Sequence, residues 1–126
     1  METVPLLNTY FRLFDAARTD ESAMQDLLSL FVPDAEIVLN GSSRTGFEDF
    51  VRAFYAYNSD VKHMWEAWER QPDGSYRTNW AVCGHSAEGK VYAKTGIDIA
   101  RLNEQGKIVY LENVPTDKEA FGRYND

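Results

Sequence analysis

The sequence predicts an α+β domain: a curved antiparallel sheet wrapped around three N-terminal helices to make a one-ended cone with an internal pocket. Three observations carry this reading. Apolar residues recur at helical spacing up to about residue 57, and long strand-like runs follow from residue 60. Short segments with a turn-type glycine, "QPDG", "HSAEG" and "NEQG", separate those runs, which makes antiparallel hairpins the natural pairing. Seven Tyr, seven Phe and three Trp in 126 residues are more than a core of this size needs, and such side chains often line pockets or subunit contacts.

In "VPLLNTYFRLFDAAR", Leu6, Leu7, Tyr10, Leu13, Phe14 and Ala17 fall on one helical stripe, and Pro5 suits a first turn. Asp20 is the expected N-cap of a second helix that runs to about Phe31 and is ended by Pro33. "AEIVL" (35–39) reads as a short strand and "NGSSRTG" as a loop. Thr45 and Glu48 have capping-box spacing, and Phe47, Phe50, Val51, Phe54 and Tyr55 form the stripe of a third helix. "DVKHMWEAWER", "SYRTNWAVCG", "KVYAKTGIDIARL" and "KIVYLENV" then read as a four-stranded meander. No repeat or linker divides the chain, so residues 1–126 are expected to form one domain.

Charge and composition exclude several functions. A net charge of −7 opposes binding to nucleic acid or to an anionic membrane surface. No apolar run reaches the ~18 residues of a membrane span. The opening "METVPLLNTYF" lacks the basic and apolar regions of a signal peptide, so a cytoplasmic location is expected. Cys83 is the only cysteine, and the two histidines have no metal-ligand spacing. Nucleophile-elbow and phosphate-loop patterns are absent, and no cofactor is expected.

Asp98, between Ile97 and Ile99, is the residue that asks for chemistry. Aspartate is a poor strand former and costly to bury as a carboxylate. Inside an apolar cone it would be held protonated and could donate a hydrogen bond, with the Tyr10 hydroxyl as a second donor and a partner. The other placement faces outward, toward Lys94 or Arg101. His63 alternates with Val61, Trp65 and Ala67 on an apolar-leaning face and is the candidate base, while His85 falls in an exposed turn. Trp68 and Trp80, with Met64, Tyr76 and Val82, are expected to form an apolar outer face for a homodimer, unless the tail "TDKEAFGRYND" covers part of it.

"LFVPDAEIVLNGSSRTGFEDFVRAFY" and "GIDIARLNEQGKIVYLENV" resemble two stretches of the NTF2-like superfamily, in its SnoaL-like and ketosteroid-isomerase-like branch. The resemblance implies the cone fold and dimerisation through the sheet. It also implies that Tyr10 matches the steroid isomerases' oxyanion tyrosine, that Asp98 matches their protonated aspartate, and that Phe54-Tyr55 matches the pair holding a supporting tyrosine. Their catalytic aspartate corresponds to about Leu39, so that base is missing. Scytalone-dehydratase relatives carry a histidine near His63; their second strand histidine has no clear counterpart, with Asn79 in that region. Arg77-Thr78-Asn79 and Glu112 are a looser echo of limonene-epoxide hydrolases.

The expected ligand is therefore a small, largely apolar molecule bearing a carbonyl or hydroxyl. Tyr10, His63 and Asp98 are the catalytic candidates, and Leu39, Phe54, Tyr55, Trp65 and Asn79 line the pocket. Isomerisation or dehydration by acid/base chemistry is one reading. A non-catalytic binding or interaction protein is the other.

Overall fold

The computed structural model describes residues 4–116. Helices α1 (Val4–Ala16), α2 (Glu21–Leu28) and α3 (Phe47–Tyr57) accompany strands β1 (Phe31–Leu39), β2 (Ser42–Arg44), β3 (Asn58–Trp65), β4 (Glu69–Arg70), β5 (Tyr76–Ser86), β6 (Val91–Leu102) and β7 (Ile108–Pro115). One curved, unclosed sheet runs β2-β1-β7-β6-β5-β3, with β4 paired to β5. The helices lie against one face of it, the cone arrangement that the sequence predicts.

The meander holds, and β1 makes two pairs outside it. Strand β2 runs antiparallel to it, so part of "NGSSRTG" is a short strand and not the expected loop, and β7 runs parallel to it, so the sheet is mixed. Local chemistry explains the other departures from expectation. Asp20 does cap α2, its Oδ1 accepting from Ser22 N at 2.9 Å and Ala23 N at 3.3 Å. The helix stops at Leu28, however, and Phe31 already belongs to β1. Pro33 sits inside β1, where the register with β7 slips between Phe31 and Glu36, a place that tolerates a residue without an N–H. Helix α3 has no capping box. Its N-cap is Gly46 at φ 84°, a left-handed conformation that suits glycine, and no side chain caps it. The run from Asn58 to Arg70 splits into β3 and β4 around residues 66–68.

Strand alternation sorts the sheet into two faces. Register places Val61, His63, Trp65, Thr78, Trp80, Val82, Asp98, Ala100, Leu111 and Asn113 on the helix side, with Ile37 and Leu39 from β1. Lys62, Met64, Arg77, Asn79, Ala81, Ile97, Ile99 and Glu112 face away. Helix α1 contributes Leu7, Tyr10, Phe11, Phe14 and Ala17 to the core, and α3 contributes Phe47, Phe50, Val51 and Phe54. The expected outer apolar face is thus corrected: Trp68, Trp80, Tyr76 and Val82 are buried, and only Met64 of that group is exposed, at 73%. The tail reading falls on residues 116–126, which apart from Thr116 lie outside the described residues. A shallow cleft of about 390 Å³ lies on the outer face, lined by Gln71, Arg77, Ile99, Arg101 and Tyr110 among others.

Candidate functional site

Asp98 lies on the inner face at the middle of β6 and is fully buried. Its Oδ1 accepts two hydrogen bonds, from Trp80 Nε1 at 3.0 Å and from Asn113 Nδ2 at 2.9 Å. Its Oδ2 is sealed from solvent and meets no donor among the described residues. Burial pushes its pKa up to about 8, and the Trp80 hydrogen bond offsets only part of that rise. At neutral pH the side chain is a carboxylic acid. With Oδ1 occupied as a double acceptor, the proton belongs on Oδ2.

The neighbours are placed by the strands on either side. Trp80 stands opposite Gly96 in the β5–β6 register, two residues from the Thr78–Asp98 pair. A Cβ at Gly96 would collide with the Trp80 indole and come within 2.7 Å of the Val114 carbonyl oxygen. Glycine there lets the indole lie across β6 and reach Asp98. Gly96→Ala is expected to displace the indole and cost about 1–3 kcal/mol from overpacking. Without the Trp80 hydrogen bond, the Asp98 midpoint moves upward. Urea unfolding and a carboxyl NMR titration of the variant check both effects.

His63 stands on β3, at the edge of the sheet, where one row of backbone N–H groups lacks a strand partner. Asp15 of α1 fills that gap. Its Oδ2 accepts from His63 N at 2.8 Å and its Oδ1 pairs with His63 Nδ1 at 2.6 Å. A carboxylate only accepts, so Nδ1 carries the hydrogen and Nε2 is left as the basic nitrogen. The imidazole is wedged between Phe11 and Phe14, with ring centroids at 5.2 and 5.3 Å, and lies 6.5 Å from the Trp80 ring.

Tyr10 is buried among Phe11, Phe14, Phe31 and Phe47. Burial raises its pKa well above the usual phenol value, and the nearby Asp98 raises it further. Its hydroxyl makes no hydrogen bond among the described residues, so the expected Tyr10–Asp98 bond is replaced by the Trp80 and Asn113 bonds. Tyr55 is also spoken for: its hydroxyl donates to the Phe14 carbonyl at 2.6 Å, tying α3 to the end of α1. Leu39 and Phe54 are buried core residues, and Trp65 is half-buried on the inner face against Phe11. Asn79 is corrected. It is exposed on the outer face, donating to Glu66 Oε1 at 2.6 Å, because alternation turns it away from Trp80.

Sequence reasoning missed three partners: Asp15, Trp80 as a donor, and Asn113. Asp15 carried a signal, since an acid in the last turn of a helix opposes the macrodipole and wants another reason to be there. Trp80 and Gly96 could have been matched by counting back from the "HSAEG" turn. Among the described residues, no group of three or more His, Cys, Asp or Glu is placed to hold a metal, and no helix is long and apolar enough to cross a membrane.

No family model and no curated protein matches the chain. Solved structures do. An NTF2-like protein of unknown function from Exiguobacterium sp. 255-15 is 51% identical, covering 89% of this chain and 98% of its own, with a TM-score of 0.85. TerC, co-crystallized with polyporic acid, matches at TM-score 0.77 and 15% identity over 98% of this chain and 97% of its own. SalBIII, an epoxide hydrolase/cyclase-like enzyme of pyran ring formation in salinomycin, matches at 0.75 and 15% over 92% of each chain. The last two likenesses are of fold alone. The first is of sequence as well, and with it the chain belongs to the NTF2-like superfamily.

Proposed function

We propose that this protein binds a small, largely apolar molecule bearing a carbonyl or hydroxyl at the inner face of the sheet and isomerises or dehydrates it without a cofactor, as a SnoaL-like enzyme. The observation that carries the reading is a buried acid with a free Oδ2 on the same inner face as a histidine oriented by a carboxyl group. Asp98 and Tyr10 donate to the substrate oxygen. His63 Nε2 removes a proton from the carbon next to the carbonyl, and the negative charge passes to that oxygen. Returning the proton to a different carbon gives isomerisation. Loss of a β-hydroxyl as water, with Asp98 or the imidazolium supplying the proton, gives dehydration.

His63 thereby takes the part for which Leu39 offers no base. Leu39, Phe54 and Trp65 supply apolar walls, and Tyr55 holds α1 in place. The fold neighbours support the ligand class, since one is crystallized with polyporic acid and another takes part in ring formation. A panel of enolisable and β-hydroxy ketones tests the reading: His63→Ala is expected to lose turnover by about 10²–10⁴-fold while ligand binding persists. Binding with no turnover in the wild type would favour the non-catalytic binder.

The protein is further proposed to be a homodimer through the outer sheet face, where Met64 is exposed beside half-buried Ile97, Ile99 and Val114. Light scattering should give twice the chain mass, and Met64→Lys should reduce it. A monomer in the wild type rejects this part.

A further inference from the structure

Asp98 and Asn113 are joined by one hydrogen bond, yet each keeps a sealed oxygen without a partner, Asp98 Oδ2 and Asn113 Oδ1. The two residues are register partners on adjacent strands, β6 and β7, and point into the same interior. Burying two such atoms is costly, and native interiors rarely leave them so. Their chemistry is complementary. The protonated Asp98 Oδ2 is a donor, whereas the amide Oδ1 of Asn113 only accepts. A group that answers both must accept one hydrogen bond and donate another.

A ketone oxygen accepts but cannot donate, and an ether behaves the same way. A hydroxyl does both through a single oxygen. We infer that Asp98 and Asn113 together form a subsite for a ligand hydroxyl, phenolic or enolic, with Asp98 donating to that oxygen and Asn113 Oδ1 accepting its hydrogen. The inference rests on the proposed ligand site and narrows its chemistry. Asn113 becomes a specificity residue that selects the hydroxyl or enol form over the plain ketone. The orientation of its amide supports this, because Nδ2 is committed to Asp98 Oδ1 at 2.9 Å, which leaves Oδ1 as the acceptor still to be engaged.

Three probes of similar size decide it: 2-naphthol, 2-methoxynaphthalene and 2-tetralone, titrated by calorimetry at pH 6, where Asp98 is protonated. The naphthol is expected to bind about tenfold or more tightly than either other probe. In Asn113→Leu that preference should collapse to about twofold. Equal binding of all three by the wild type overturns the hydroxyl subsite and leaves the ligand site standing. Naphthol preference that survives in Asn113→Leu overturns the role of Asn113. No binding of any probe at millimolar concentration overturns the site reading, and this inference with it. The wild-type comparison holds even where the variant fails to fold.

Discussion

Asp98→Asn is expected to flatten the pH dependence of stability between about pH 4 and pH 8. In the unfolded chain an aspartate releases its proton near pH ~4, whereas in the folded protein burial holds Asp98 protonated up to about 8. Between those values the native state binds one more proton than the unfolded state, so stability falls as pH rises. It is fully present below the unfolded midpoint and is lost by the time pH passes the folded one. A gap of this width corresponds to a loss on the order of 5 kcal/mol. Asparagine keeps the shape: its oxygen accepts from Trp80 and Asn113, and its NH₂ stands where Oδ2 carries hydrogen. The variant should therefore gain on wild type steadily as pH is raised, and be near parity with it at pH 4. Urea denaturation midpoints from pH 4 to 9 measure the difference. The other shifted carboxyls, Glu21 and Asp73, are lowered rather than raised, so they act at acid pH and cancel in the comparison.

The second large effect is predicted for Asp15→Asn. The amide can donate to His63 Nδ1, which removes the reason for that nitrogen to carry the hydrogen. The imidazole then adopts the other tautomer and presents N–H, not a lone pair, at Nε2. Turnover on any substrate that depends on His63 as base should drop by about 10³-fold, with binding little changed. The tautomer is visible without a substrate. Nitrogen NMR of the histidine ring should show a protonated Nδ1 in the wild type and a protonated Nε2 in the variant. Two proton-bearing nitrogens, or no change on substitution, would remove the positioning role of Asp15. The same carboxyl also holds the backbone N–H of His63 at 2.8 Å, so the variant should loosen the β3 edge as well. Hydrogen exchange at His63 separates that structural effect from the tautomer.

Much of this was legible in the sequence because it depends on periodicity and on turns. The stripes of α1 and α3, the glycine turns at Gly74, Gly89 and Gly106, and the strands β5 to β7 all follow from local pattern. The unusual aspartate announced itself by its strand environment. What stayed hidden depends on pairings between distant segments. The parallel β1–β7 contact joins residues more than seventy positions apart, and nothing local in "AEIVL" specifies it. Asp15 meets His63 only because α1 crosses the free edge of β3. Which tryptophans face inward was misread because the break after Trp65 turns Trp68 back under the sheet, and because Trp80 follows the register set by the β5–β6 hairpin. Asn79 was misassigned for the same reason, one residue from Trp80 and therefore on the opposite face.

Residue 98 is an uncharged acid at neutral pH, with its proton on the oxygen that no described residue engages. Carbon NMR of the side-chain carboxyl, with ¹³C-labelled aspartate and Asp98→Asn to assign the signal, measures this directly. A single titration step centred near 8 is expected. A step near the free value of ~4 would mean a charged, solvated carboxylate, and would contradict both the donor role and the chemistry built on it.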